Sequence, residues 1–275
     1  VNLAVPWAVA WALWRVLSAV KNRRNYFFVA LLVLMGCVSA VLHLQKAGVL
    51  AASPSEALKT ALDLVVFIIV VMAGRVVPMF SNNGVPGLKA TRNNTIERLA
   101  LGSVLVLACL DALSLQGPVM AVLLFLAMLI HGARWLLWQP WGTRKNALVW
   151  VLHAAYFWLP VHLVLRAAAE MQWIVSGAAT HALTMGLLGM ITLGMMTRTA
   201  LGHTGNPLRA GMAEVWMYSL VMGATLIRVV GPLVLPQHTL VAVQVAAVLW
   251  SAAFAVYLWR YTPLLIRPRA DGQPG

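Results

Sequence analysis

At 275 residues the chain is as long as one or two soluble domains, but 61% of it is apolar and only 10% is charged, against about 25% charged in a soluble domain. The apolar residues run in long blocks, which excludes an ordinary soluble fold and points to a lipid environment. The net charge of +13 would suit nucleic acid in a single basic tail, but Lys and Arg sit mainly in short links between the blocks, where they orient membrane spans.

Read from the start, the chain opens at Val1 directly before an apolar block, with no signal-peptide cleavage site. The apolar runs predict an all-α polytopic bundle of about nine transmembrane helices, forming a single domain over 1–275. The predicted spans are 3–20, 26–46, 58–80, 96–115, 118–138, 147–169, 178–201, 212–234 and 238–259. The links carry helix breakers: Ser53-Pro54, Gly84 to Gly87, Gly117-Pro118, Pro140 to Gly142, Gly205 to Pro207, and Pro236. Cys37 and Cys109 fall inside predicted spans and form no CxxC, so neither a disulfide nor a zinc site is expected.

Basic residues alternate in density from link to link. Lys21, Arg23, Arg24, Lys89, Arg92, Arg98, Arg144, Lys145, Arg209, Arg260, Arg267 and Arg269 fall on one side, and Lys46 and Lys59, with Arg166 close by, on the other. The positive-inside rule makes the first side cytoplasmic, with the C-terminus inside and Val1 outside. An outside start, without Met, reads as a chain lacking an odd number of upstream spans.

A charged group deep in the bilayer persists when it is paired, hydrated or functional. Arg75, His131, Arg134, His153 and Arg198 are expected toward the cytoplasmic ends of the spans, with His203 just beyond. Toward the outer ends come His43, Asp63, Asp111, His162, Arg166, His181, Arg228 and His238. His131 and His153 belong to neighbouring helices, and each lies roughly 10 Å from the inner end of its span. Two histidines at matching depth could give the axial nitrogens of one haem, with Arg75, Arg134 and Arg198 offsetting the propionates and His203 in reserve. Each could equally be a hydrogen-bonding group between helices. His153 and His162, nine residues apart, fall on opposite faces of one helix and cannot serve the same metal. His181 and Met185 share a helix face, and imidazole with thioether suits copper; packing is the alternative role for Met185.

Two stretches go beyond generic membrane chemistry. One is Gly74-Arg75-Val76-Val77-Pro78-Met79-Phe80 followed by Ser81-Asn82-Asn83-Gly84. The other begins His181-Ala182-Leu183-Thr184-Met185-Gly186, continues Met196-Thr197-Arg198-Thr199-Ala200, and ends Leu201-Gly202-His203-Thr204-Gly205. Together with Trp150-Val151-Leu152-His153, Tyr156, Trp158, Leu159 and Pro160, they resemble the NnrS family of bacterial inner-membrane proteins over most of the chain. The resemblance implies about twelve spans in the usual longer member, bound haem and copper, and a role in nitric oxide metabolism and nitrosative stress, often alongside denitrification. It places Arg75, His153, His181, Arg198 and His203 in family motifs; the candidate metal ligands are then His153, His181 and His203, with Met185 added from the face it shares with His181. The implied partners are the bilayer and nitric oxide or a related small ligand. The competing reading is a transporter or metal permease whose buried charges line a path.

Overall fold

The computed structural model describes residues 3–50 and 54–273. Among these there is no strand, and nine helices follow one another: α1 (Val5–Ala19), α2 (Tyr26–Lys46), α3 (Pro54–Gly84), α4 (Asn94–Ala112), α5 (Pro118–Leu137), α6 (Ala147–Glu170), α7 (Ser176–His203), α8 (Met212–Val234) and α9 (Thr239–Leu265). Seven helical stretches are long and apolar enough to cross a membrane, all but α1 and α4 among these nine. α1 has 15 residues, roughly 22 Å of helix against a hydrocarbon core of about 30 Å. α4 carries Glu97, Arg98 and Asp111 within its 19 residues.

Several helices run past their predicted ends because polar side chains find partners there. α3 continues through Ser81, Asn82 and Asn83 to Gly84. Ser81 Oγ donates to the Val77 carbonyl, and the Asn82 amide brackets Ala90, donating to its carbonyl and accepting from its N–H. α4 starts earlier, where Asn93 Oδ1 accepts from the N–H groups of Thr95 and Ile96 and caps the helix. α9 runs beyond Arg260 to Leu265 because Arg260 and Tyr261 both reach Glu214 of α8.

The described residues divide into two compact units. The first comprises residues 1–72 and 101–116 and includes the α1–α2 hairpin. There Gly36 lets the Trp7 indole press against the backbone: a Cβ at that position would sit 2.6 Å from the ring. Small residues do this work in membrane helices because close packing substitutes for the missing hydrophobic drive.

The second unit comprises residues 73–100 and 117–275. α6 is its centre, packed against α5, α7 and α8. Of its 24 residues 14 are buried, and only the face through Phe157 and Val164 is turned outward. α7, expected as one regular helix over 178–201, winds as a π-helix from Ala182 to Gly189 before returning to α-helix at Met190. Its wide turns coincide with two seated indoles: a Cβ on Gly186 would lie 2.3 Å from the Trp158 ring, and one on Gly189 the same distance from Trp250. Such π segments concentrate at functional sites.

Candidate functional site

The polar interior of the second unit is built around α6. His153 is 2% exposed. Its Nε2 lies 2.7 Å from Ser81 Oγ on α3, and its carbonyl accepts a 2.9 Å hydrogen bond from Trp135 Nε1 of α5. The Trp138 ring stands edge-on to it with centroids 6.4 Å apart. His153 Nδ1 is buried and has no hydrogen-bond partner, and the same is true of Trp138 Nε1. Buried polar atoms are nearly always bonded, so an unpartnered imidazole nitrogen in a membrane helix marks a position able to take a ligand.

One helical turn further along, a closed network forms. Arg134 binds Glu97 through two bonds, Nε to Oε1 at 3.1 Å and Nη2 to Oε2 at 2.5 Å. Its Nη1 donates to the Tyr156 hydroxyl at 3.0 Å, and that hydroxyl lies 2.7 Å from His131 Nδ1. The Tyr156 hydroxyl thus bridges the two side chains, accepting from the Arg134 guanidinium and sharing a hydrogen bond with the His131 imidazole. Exposed Arg92 contacts Glu97 from outside at 3.4 Å. Gly74, from the Gly-Arg-Val-Val-Pro stretch, makes room for the pair: a Cβ there would collide with the Arg134 guanidinium.

The other expected residues lie apart from this centre. Arg198 of α7 stacks on Phe80 of α3, 3.7 Å from the ring centroid, so its cation–π contact joins the two family-like stretches. Arg75 is half-buried on α3. His162 Nδ1 donates to the Ala179 carbonyl at 2.8 Å. It thus contacts α7 while His153 contacts α3, as a nine-residue separation on α6 requires. His181 and Met185 are half-buried, with Met185 inside the π stretch. His203 is exposed at the end of α7. The C-terminal segment docks there: Arg269 donates to the His203 carbonyl, Ala270 N–H donates to the Thr204 carbonyl, and Asp271 sits against Gly205. Outside the spans, the Asp271 carboxyl is held down at about 2 by its hydrogen bonds with Arg269.

A second polar cluster ties α7, α8 and α9. Tyr261 donates to Glu214 at 2.7 Å, Arg260 lies 3.5 Å from the same carboxylate, and Tyr218 and Thr197 share a short hydroxyl–hydroxyl bond. Among the described residues no three His, Cys, Asp or Glu side chains gather as a metal cluster. Sequence reasoning missed Glu97, Trp138 and Glu214, and it placed Ser81 in a family-like stretch without giving it a role. Glu97 and Glu214 carried a signal, each being an acid beside an apolar run, where a partner is demanded. Trp138 carried none.

These contacts bind together the Gly74–Gly84, Trp150–Pro160 and His181–Gly205 stretches within one unit. A family model described as NnrS protein matches residues 1–269. The chain belongs to the NnrS family. No curated protein matches it, and no solved structure does. Membership of the NnrS family accords with a multi-pass helical membrane protein. The residues present also fit a metal in one specific respect: His153 has one ring nitrogen anchored and the other bare.

Proposed function

We propose that this NnrS-family chain is a haem- and copper-binding protein of the bacterial inner membrane that handles nitric oxide. The observation that supports it is His153, buried with an unpartnered nitrogen at the centre of the polar interior. Haem iron would supply a binding position for nitric oxide and a one-electron couple. His153 would be an axial ligand, with Arg75 and Arg198 as the cations for the propionates. Arg134 is already neutralised by Glu97, so its role is to hold Tyr156 and, through it, His131. His131 supports the site through its hydrogen bond to Tyr156 and is the candidate second histidine beside His153. His203, exposed beyond the span, is the reserve ligand. His181 with Met185 is the candidate copper pair at the outer end.

In this reading all nine helices cross the bilayer, and the links holding Lys21 to Arg24 and Lys89 to Arg98 face the cytoplasm along with the C-terminus. Cysteine accessibility at an Asn93→Cys variant tests the orientation: labelling from the cytoplasmic side is expected, and labelling from the periplasm overturns it. A reduced-minus-oxidised spectrum with metal analysis of the purified chain tests the chemistry. A Soret band with copper in the same sample is expected. A colourless, metal-free protein would favour the permease reading.

A further inference from the structure

Resting on the metal-binding reading above, we propose that His153 offers Nδ1, and not Nε2, to its metal, and that Ser81 is the positioning residue that fixes this choice. A neutral imidazole has one N–H and one lone pair. Ser81 Oγ has a single proton and lies within reach of two acceptors, the Val77 carbonyl at 2.8 Å and His153 Nε2 at 2.7 Å.

Two proton arrangements are possible. In the first, Ser81 donates to Val77 and accepts from His153 Nε2–H. Both short contacts are then hydrogen bonds, and Nδ1 carries a bare lone pair. In the second, Ser81 donates to Nε2. The bond to Val77 is lost, and Nδ1 becomes a buried N–H with no acceptor. Orphaned buried N–H groups are rarer and costlier than under-satisfied acceptors. The first arrangement makes one more bond and strands no donor.

The Ser81–Val77 pair fixes the ring at Nε2, while Trp135 ties the backbone carbonyl of the same residue at 2.9 Å. What remains is a lone pair on the Cβ side of the ring, close to the α6 backbone. Metal-ligating histidines characteristically donate their other N–H to an acceptor that sets tautomer and orientation; Ser81 occupies that place. Trp138 does not satisfy Nδ1, because its own Nε1–H is also unpartnered. The chemistry on offer is one neutral imidazole donor for a transition metal, either haem iron or copper.

The test uses the full-length, metal-stripped chain labelled with 15N at histidine, and the variants Ser81→Ala, Ser81→Thr and His153→Ala. The signal missing from His153→Ala identifies His153. Wild type is expected to show its proton on Nε2, and haem and Cu(I), titrated separately, identify the metal taken. Ser81→Ala is expected to lose the fixed tautomer and to weaken that metal about 10- to 100-fold, while Ser81→Thr, which keeps the hydroxyl, stays near wild type. A wild-type proton on Nδ1, or equal behaviour of the Ala and Thr variants, overturns the inference even if the protein as purified carries haem and copper. The expected tautomer with uptake of neither metal overturns the donor role of Nδ1 and the metal-binding reading together.

Discussion

α6 and α9 are both long apolar helices of the second unit, with opposite fates. Two-thirds of the most apolar window of α6 is buried (67%), against 11% for that of the stretch containing α9. α9 turns Leu240, Val248, Leu258 and Trp259 outward and keeps its polar contacts near one end, where Arg260 and Tyr261 meet Glu214. α6 carries His153, Tyr156 and His162 along its length, and each has a partner on another helix. In lipid a helix gains nothing from being more apolar inside than outside. The polar inventory, rather than the apolar run, therefore tells a central helix from a peripheral one.

The largest break in this contrast should come from the network around α6. Arg134→Met leaves Glu97 facing the interior without its main partner, and should cost about 3–5 kcal/mol in the unfolding midpoint of the detergent-solubilised protein. Adding Glu97→Gln should recover much of that loss. Next comes a paired truncation. Leu152→Ala on α6, at 0% exposure, should cost about 2–5 kcal/mol through the cavity it leaves. Leu258→Ala on α9, at 61% exposure, should stay within about 0.5 kcal/mol. Equal losses would mean that α9 is as enclosed as α6.

Gly186→Ala sharpens the comparison at the π stretch. The added methyl meets the Trp158 ring of α6 and should cost about 1–3 kcal/mol in the same melt, whereas Gly202→Ala, with open space around it, should be silent. The smallest effect lies outside the membrane. Asp271 titrates at about 2 in the folded chain because Arg269 bonds its carboxylate, below the ordinary value of 3.8. A depressed carboxyl stabilises above its unfolded pKa and stops doing so as pH falls through the folded one. The tail contact at His203–Gly205 should therefore persist above about pH 4 and loosen toward pH 2, which protease sensitivity of the C-terminus can follow.

The membrane helices were legible in the sequence because 18 apolar residues in a row have few other uses. His131 and His153 were also legible, as rare intramembrane groups on neighbouring helices. Their partners were not. Nothing local tells that Ser81, at the end of α3, meets His153 72 positions later, or that Arg134 answers Glu97 rather than a ligand. Those pairings are made by tertiary packing alone. The π winding was invisible for a related reason: it accompanies indoles from α6 and α9 seated on Gly186 and Gly189, and a helical period of 3.6 was the only expectation the residues themselves supported.

The most direct test of His153 as the metal-bearing residue is the haem spectrum and metal content of His153→Ala beside His162→Ala, both purified from membranes at wild-type yield. His153→Ala should lose the Soret band or shift it to a high-spin form. His162→Ala, whose ring is turned to the Ala179 carbonyl on another helix, should keep the wild-type spectrum. Loss in His162→Ala with an unchanged His153→Ala would contradict the account.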